Sequence, residues 1–185
     1  MKSKYTFNAR LLLLLLAIPF LASRCKKDPP SPQSELVTVN GQTFGCRING
    51  VPFISDKWDY GNNVPPVHVN IWYSPVGKYH YLIANGNKAN EYVEIFLNPP
   101  LTPGRRELKF NTRAYPIYAN PKDYGLYQKL SPNKEYITND TLGGFVDILS
   151  VDTITLKIEG RFEFIGTERT TGEKINVTNG YFKKI

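Results

Sequence analysis

Two cysteines, two histidines and one methionine are the chain's whole stock of thiols and soft ligands. That is too few for a zinc ribbon, an iron–sulfur site or a disulfide-dense scaffold. His68 and His80 both fall in segments of strand character, and neighbouring strands could bring them together. No acidic residue stands at a spacing that completes a metal site around them, so neither a metal nor a cofactor is expected. Gly-rich phosphate loops, Gly-x-Ser-x-Gly elbows and His-Glu-x-x-His patterns do not occur. Paired carboxylates for glycoside hydrolysis leave little trace in sequence, and nothing nominates a pair here. The expectation is a chain that is not an enzyme, with a glycan-acting hydrolase as the third reading.

Aromatic residues carry the stronger signal. Trp58-Asp59-Tyr60-Gly61-Asn62-Asn63 sets two rings beside polar side chains in a loop, and Trp72 and Tyr73 end a strand. Rings next to Asn and Asp can stack on sugar faces while the polar groups bond hydroxyls, which makes Trp58, Tyr60 and Trp72 the candidate ligand-binding set. The same residues serve equally as hydrophobic mass with a polar tip at the edge of a core.

Cys25 has a different context. Lys2, Lys4 and Arg10 precede an apolar run of 11 residues from Leu11 to Leu21. A membrane-spanning helix needs about 20 such residues, so the run has the length of a signal-peptide core. Leu21-Ala22-Ser23-Arg24-Cys25-Lys26-Lys27-Asp28 follows, and then Pro29, Pro30, Ser31 and Pro32. The arrangement resembles a bacterial lipoprotein signal, in which the first mature residue is a Cys whose thiol takes a diacylglycerol. Lys26-Lys27-Asp28 resembles the charged stretch after the lipidated Cys in many Bacteroidota lipoproteins. Lipoboxes carry a small residue before the Cys and usually Leu two positions earlier, where this chain has Arg24 and Ala22, so cleavage after Ser23 stands as the alternative. Lipidation of Cys25 and a Cys25–Cys46 disulfide exclude each other, because both use the same sulfur. With Cys25 acylated, Cys46 is read as an inert thiol in an apolar strand. The division expected is a signal peptide over 1–24, a tether over 25–35 and one domain over 36–185.

The formal charge of +7 shrinks once that leader is set aside. Lys2, Lys4, Arg10 and Arg24 are removed with no acid, leaving 19 basic and 16 acidic groups and a charge of +3. The remaining charges alternate in sign and form no basic stripe, so nucleic acid is excluded as the expected partner.

Period-2 patterning dominates from Leu36 onward. Ile154, Leu156, Ile158, Phe162 and Phe164 fall on one face of a half-buried strand, with Thr155, Lys157, Glu159, Arg161 and Glu163 on the other. Asn40-Gly41 and Asn49-Gly50 mark tight turns, Asn85-Gly86-Asn87 reads as a third, Thr170-Thr171-Gly172 as a fourth, and Asn179-Gly180 as a turn or bulge. Further strands are expected at Leu36 to Val39, Thr43 to Ile48, Val51 to Ile54, Val67 to Tyr73, Tyr79 to Ala84, Tyr92 to Leu97, Gly104 to Phe110 and Gly144 to Leu149. The stretch from Asn98 to Leu142, carrying six prolines, is otherwise irregular. The fold class expected is all-β, a single antiparallel β-sandwich or flattened barrel of about nine or ten strands. A transmembrane barrel is disfavoured, because the clearest strand carries two Glu, one Lys and one Arg on its outer row.

Phe44-Gly45-Cys46-Arg47-Ile48-Asn49-Gly50-Val51-Pro52-Phe53, Tyr136-Ile137-Thr138, Gly144-Phe145-Val146-Asp147-Ile148 and Ile158-Glu159-Gly160-Arg161-Phe162-Glu163-Phe164 lead to Thr171-Gly172 and on to Thr178-Asn179-Gly180-Tyr181-Phe182. Together they resemble a family of small uncharacterised Bacteroidota lipoproteins with a C-x-V-N-G-x-x-F start and a T-G-x-x-x-x-I-T-x-G-x-F end. The resemblance implies a lipoprotein with an all-β domain of unknown function, and transfers no catalytic residue. The resulting expectation is an exported protein, lipid-anchored at the outer membrane or cell surface, with a non-catalytic binding or structural β-domain. Its partners would be the membrane, through the anchor, and a glycan or envelope protein. The alternative is a surface glycan-binding accessory lipoprotein.

Overall fold

The computed structural model describes residues 35–56, 65–75, 77–112 and 122–185. Twelve strands follow in chain order: β1 (Val37–Val39), β2 (Gln42–Ile48), β3 (Val51–Phe53), β4 (Val67–Ser74), β5 (Tyr79–Lys88), β6 (Glu91–Leu97), β7 (Gly104–Leu108), β8 (Tyr124–Leu130), β9 (Asn133–Ile137), β10 (Gly144–Asp152), β11 (Lys157–Glu168) and β12 (Lys174–Lys184). All pair antiparallel in one sheet whose main path runs β1-β2-β12-β11-β9-β8-β6-β5-β4. β10 joins β11 and carries β7 on its other edge, while β3 pairs with β2. The sheet curls until β4 comes back beside β2 and β12. There the Val69 N–H donates to Gln42 Oε1 at 2.5 Å, and Lys184 Nζ donates to Asn70 Oδ1 at 2.7 Å. The result is a nearly closed, barrel-like sheet, sealed at the seam by side chains rather than by a backbone ladder.

The sequence packs the interior by setting large residues against absent ones. Phe44, Phe162, Phe164 and Phe182 point inward from β2, β11 and β12. Each lies over an in-strand glycine: Phe44 over Gly86, Phe164 over Gly125, Phe182 over Gly160 and Phe162 over Gly180. A Cβ built on any of these glycines would come within 2.4 to 2.6 Å of the ring. Small barrels fill their taper by alternating large and small inward side chains, and here the small member is a hydrogen atom. Gly86 therefore lies within β5, and the turn expected at Asn85-Gly86-Asn87 is found instead at Ala89 and Asn90, where Asn90 has φ of 64°.

Other expectations are refined in the same way. Asn40-Gly41 and Asn49-Gly50 are turns with positive φ at both residues of each pair. Asn179, also at positive φ, sits where the β12 register slips against β2 between Thr178 and Tyr181, so Asn179-Gly180 is a bulge inside one continuous strand. Ile154 and Leu156 do not begin β11 on its buried face. Asp152 accepts the N–H groups of Ile154 and Thr155, forming the β10–β11 turn and leaving Ile154 92% exposed. The stretch from Asn98 to Leu142 contains β8 and β9 as well as β7, which brings the strand total among the described residues to twelve. Cys46 is a buried free thiol, pushed well above its ordinary pKa by burial.

The β11–β12 hairpin is held by Glu168, whose Oε2 accepts from the Thr171 hydroxyl at 2.7 Å and from the N–H groups of Thr171 and Thr170 at 2.6 and 3.0 Å. These bonds favour the charged form and hold its pKa at about 2, against an ordinary 4.5. The stabilisation is complete above pH 4.5 and is lost as pH falls toward 2, where the folded state must bind the proton. Thermal midpoints followed by circular dichroism should therefore fall more over that window in the native chain than in Glu168→Gln. Equal pH dependence in the two would show that these bonds do not couple to folding.

Candidate functional site

Cys25, Trp58 and Tyr60 lie outside the described residues. Trp72 stands on the outer face of β4, 43% exposed, with its ring stacked on His68 at 6.1 Å. Burial and, secondarily, the charge of Lys184 lower the His68 pKa, so the imidazole beside Trp72 is neutral at physiological pH. The two histidines are not brought together. The β4–β5 register sets His80 opposite Tyr73 and His68 opposite Asn85, five positions apart along the ladder. Among the described residues no group of three or more His, Cys, Asp or Glu side chains could hold a metal ion.

Trp72 is the exposed end of an aromatic row. It is paired in register with Tyr81, whose ring centroid lies 5.8 Å from Phe96, and Phe96 stacks on Tyr124 at 5.3 Å and 9°. Tyr81, Phe96, Tyr124, Leu126 and Ile137 form a second buried cluster on the outer face of β5, β6, β8 and β9, with Phe110 packed against it. β8 thus buries side chains on both of its faces, which erases the period-2 signal by which a strand is recognised.

Beside this row, lined by residues of β7 and by residues that follow β6 and β7 and precede β8 and β10, lies a cleft of about 530 Å³. Its floor is the half-buried Phe110 ring, with Lys122 Nζ 5.8 Å above the ring centroid. Arg106 and Asp123 form a two-point ion pair through Nε and Nη2 at 2.7 and 2.8 Å, and Asp123 Oδ1 also accepts the Asn98 N–H at 2.7 Å. Lys109 pairs with Glu107 at 2.8 Å. The Asn98 amide oxygen is buried without a hydrogen-bond partner.

The cleft's walls are fixed by bonds made elsewhere in the chain. The Phe110 N–H donates to the Asp123 carbonyl, its own carbonyl accepts from the Thr138 hydroxyl at 2.8 Å, and Arg169 donates to the Asn111 carbonyl. On the far rim, Asn139 Oδ1 accepts the N–H groups of Thr141 and Leu142, an Asx turn that sets the position of Asp140. Sequence reasoning missed this group. Asn98, Phe110, Asp123 and Asp140 come from four separate segments, and no motif links them.

Among the described residues, the carboxylates with shifted pKa values are all held below their ordinary range. Arg105 does this to Asp147, the Thr155 hydroxyl to Asp152, Lys183 to Glu159, the Thr171 hydroxyl to Glu168 and Lys134 to Glu173. Each is committed to an ion pair or a turn, the opposite of the raised pKa a general acid needs at neutral pH.

No curated protein and no solved structure matches the chain. Residues 75–185 match a family described only as a domain of unknown function, a span that takes in β5 to β12 and both carboxy-terminal motifs while leaving out the segment from Phe44 to Phe53. With more than half of its length inside that match, the chain belongs to the DUF6252 family.

Proposed function

We propose that the chain is a lipid-anchored cell-envelope protein of Bacteroidota lipoprotein type, held at the outer membrane or cell surface, with a barrel that binds or scaffolds and does not catalyse. The observation that carries this reading is Cys25, placed after an apolar run too short to span a bilayer and before Lys26-Lys27-Asp28 and a Pro-bearing tether. Two or more acyl chains give stable anchoring where one is marginal. The outer row of β11 supports an anchor rather than an embedded barrel. Glu159, Arg161 and Glu163 face outward there, and Glu159 is paired with Lys183 at 3.0 Å, where a membrane barrel needs an apolar belt.

A surface glycan-binding accessory protein is the second reading, favoured by the exposed Trp72 ring beside neutral His68.

Cys25→Ser tests the anchor. The variant is expected to move from the membrane fraction to the soluble periplasmic or extracellular fraction, with the barrel's circular dichroism unchanged. A variant that stays in the membrane fraction after high-salt and carbonate washing would overturn the proposal.

A further inference from the structure

We infer that the cleft over Phe110 is a binding site for a neutral, hydroxyl-rich ligand, a saccharide, which deepens the binding-module reading and rests on it.

The charge balance of the walls comes first. Arg106, Lys109 and Lys122 line the cleft together with Glu107, Asp123 and Asp140. Arg106 is neutralised by Asp123 and Lys109 by Glu107, which leaves, among the described residues, one cation and one anion, Lys122 and Asp140. A phosphate or an acidic sugar entering here gains one cation and meets Asp140, while a polyamine meets the reverse. A ligand with no net charge and with donors and acceptors on every edge uses both groups without that penalty.

The orphan oxygen adds a second, independent observation. Asn98 lines the cleft while its Oδ1 is buried and accepts no hydrogen bond. Buried polar atoms are nearly always paired, so a lone acceptor at the wall of a cleft points to a donor supplied from outside the chain. A rotation of the amide toward a ligand hydroxyl provides one. Among the described lining residues Phe110 alone is apolar, and a pyranose C–H face that packs on its ring displaces the Lys122 ammonium, which lies 5.8 Å from the centroid. A volume of about 530 Å³ falls inside the range of roughly 300 to 1,000 Å³ typical of small-ligand sites.

The groups are also held in place before any ligand arrives. Phe110 is pinned at both its N–H and its carbonyl, and the Asx turn at Asn139 fixes the loop that carries Asp140. Little ordering remains to oppose binding, so even a modest set of contacts gives measurable affinity. Trp72 stands at the same end of the outer face. Its partner Tyr81 precedes Leu82, and Leu97, the partner of Leu82, precedes Asn98. Two strand spacings, about 10 Å, thus separate Trp72 from Asn98, so a longer oligosaccharide seated in the cleft can reach the Trp72 ring.

The test uses the full-length protein in detergent micelles. Isothermal titration calorimetry is run with mannotetraose, cellotetraose, maltotetraose and xylotetraose as neutral probes and tetragalacturonate as the acidic one. At least one neutral probe is expected to bind with a Kd of about 1 mM or tighter, and Asp140→Ala and Asn98→Ala are each expected to weaken it about tenfold, the effect of one lost hydrogen bond in a ligand site. Asp140 is exposed, so its variant folds even where Phe110→Ala, which opens the second cluster, does not. The inference is overturned by three results: no neutral probe binding at about ten times that Kd, binding of tetragalacturonate alone, or binding abolished by Trp72→Ala and untouched by Asp140→Ala. Membrane attachment is read separately by fractionation. Failed binding with the anchor intact sinks the cleft, and failed anchoring with binding intact sinks the envelope assignment.

Discussion

Phe162→Ala is expected to lower the unfolding free energy by about 4 kcal/mol, the upper part of the range for a fully enclosed aromatic ring. Phe162 has no exposed surface and lies 5.5 Å from Phe44, 6.4 Å from Phe164 and 6.2 Å from Phe182 by ring centroid, so its removal opens a void that none of three other rings can fill without leaving its own glycine. Urea denaturation should show a lower midpoint with an unchanged slope, since the same surface is exposed on unfolding. The ring-over-glycine pairing makes a sharper claim. Gly180→Ala alone drives a methyl group into the Phe162 ring and is expected to cost about 1 to 3 kcal/mol by overpacking. In the Phe162→Ala background the same change should cost less but not nothing, because the ring has gone while the backbone carbonyl of residue 162, 2.5 Å from the same Cβ, remains. Additive effects would show that Phe162 does not occupy the space over Gly180.

Asp123→Ala is expected to have the second largest effect, and the largest outside the barrel core, at about 3 kcal/mol. The carboxylate accepts two bonds from Arg106 and one from the Asn98 N–H, and the two side chains are only 12% and 19% exposed. Its loss strands a largely buried guanidinium as well as a backbone donor. The Asp123→Leu, Arg106→Met double variant is expected to recover part of the loss, since an apolar pair at such a site escapes the penalty of an unpaired charge. A double-mutant cycle on urea midpoints measures the coupling. A single-variant cost below about 0.5 kcal/mol, the level of an exposed ion pair, would place this pair in solvent and remove the rigid wall from the cleft.

What could be read in advance depended on whether a residue's two faces meet different surroundings. β11 was legible from Ile158 onward because Ile158, Phe162 and Phe164 enter the core while Glu159, Arg161 and Glu163 face outward. Asn40-Gly41 and Asn49-Gly50 were legible because positive φ leaves a clear residue preference. β8 was hidden, since Tyr124 and Leu126 enter the outer cluster while Tyr127 enters the barrel core, and a strand buried on both sides has no period. Gly86 was misread for a related reason. A glycine needed for space looks the same in sequence as one needed for a turn, and only the Phe44 ring above it tells them apart. The cleft was invisible because Asn98 and Asp123 meet through β6–β8 pairing, and Phe110 and Asp140 through β7–β10 pairing and an Asx turn, none of which is written at those positions. Of the three candidate aromatics, Trp72 alone lies among the described residues, and the structure sets it at the exposed end of the aromatic row.

On the proposed reading the fold and the anchor divide the work. The barrel is fixed by its aromatic interior and by side chains at the β4 seam, and it presents the cleft and Trp72 on one outer face. An acylated Cys25 would keep that face in the envelope, with the Pro- and Ser-bearing sequence from Asp28 as its proposed tether. The most direct test of this account is the intact mass of the full-length protein expressed in a Bacteroidota host and recovered from the membrane fraction. The account predicts a chain that begins at Cys25 and carries the added mass of a diacylglycerol, with Cys46 a free thiol. An unmodified soluble chain beginning at Arg24 would contradict it.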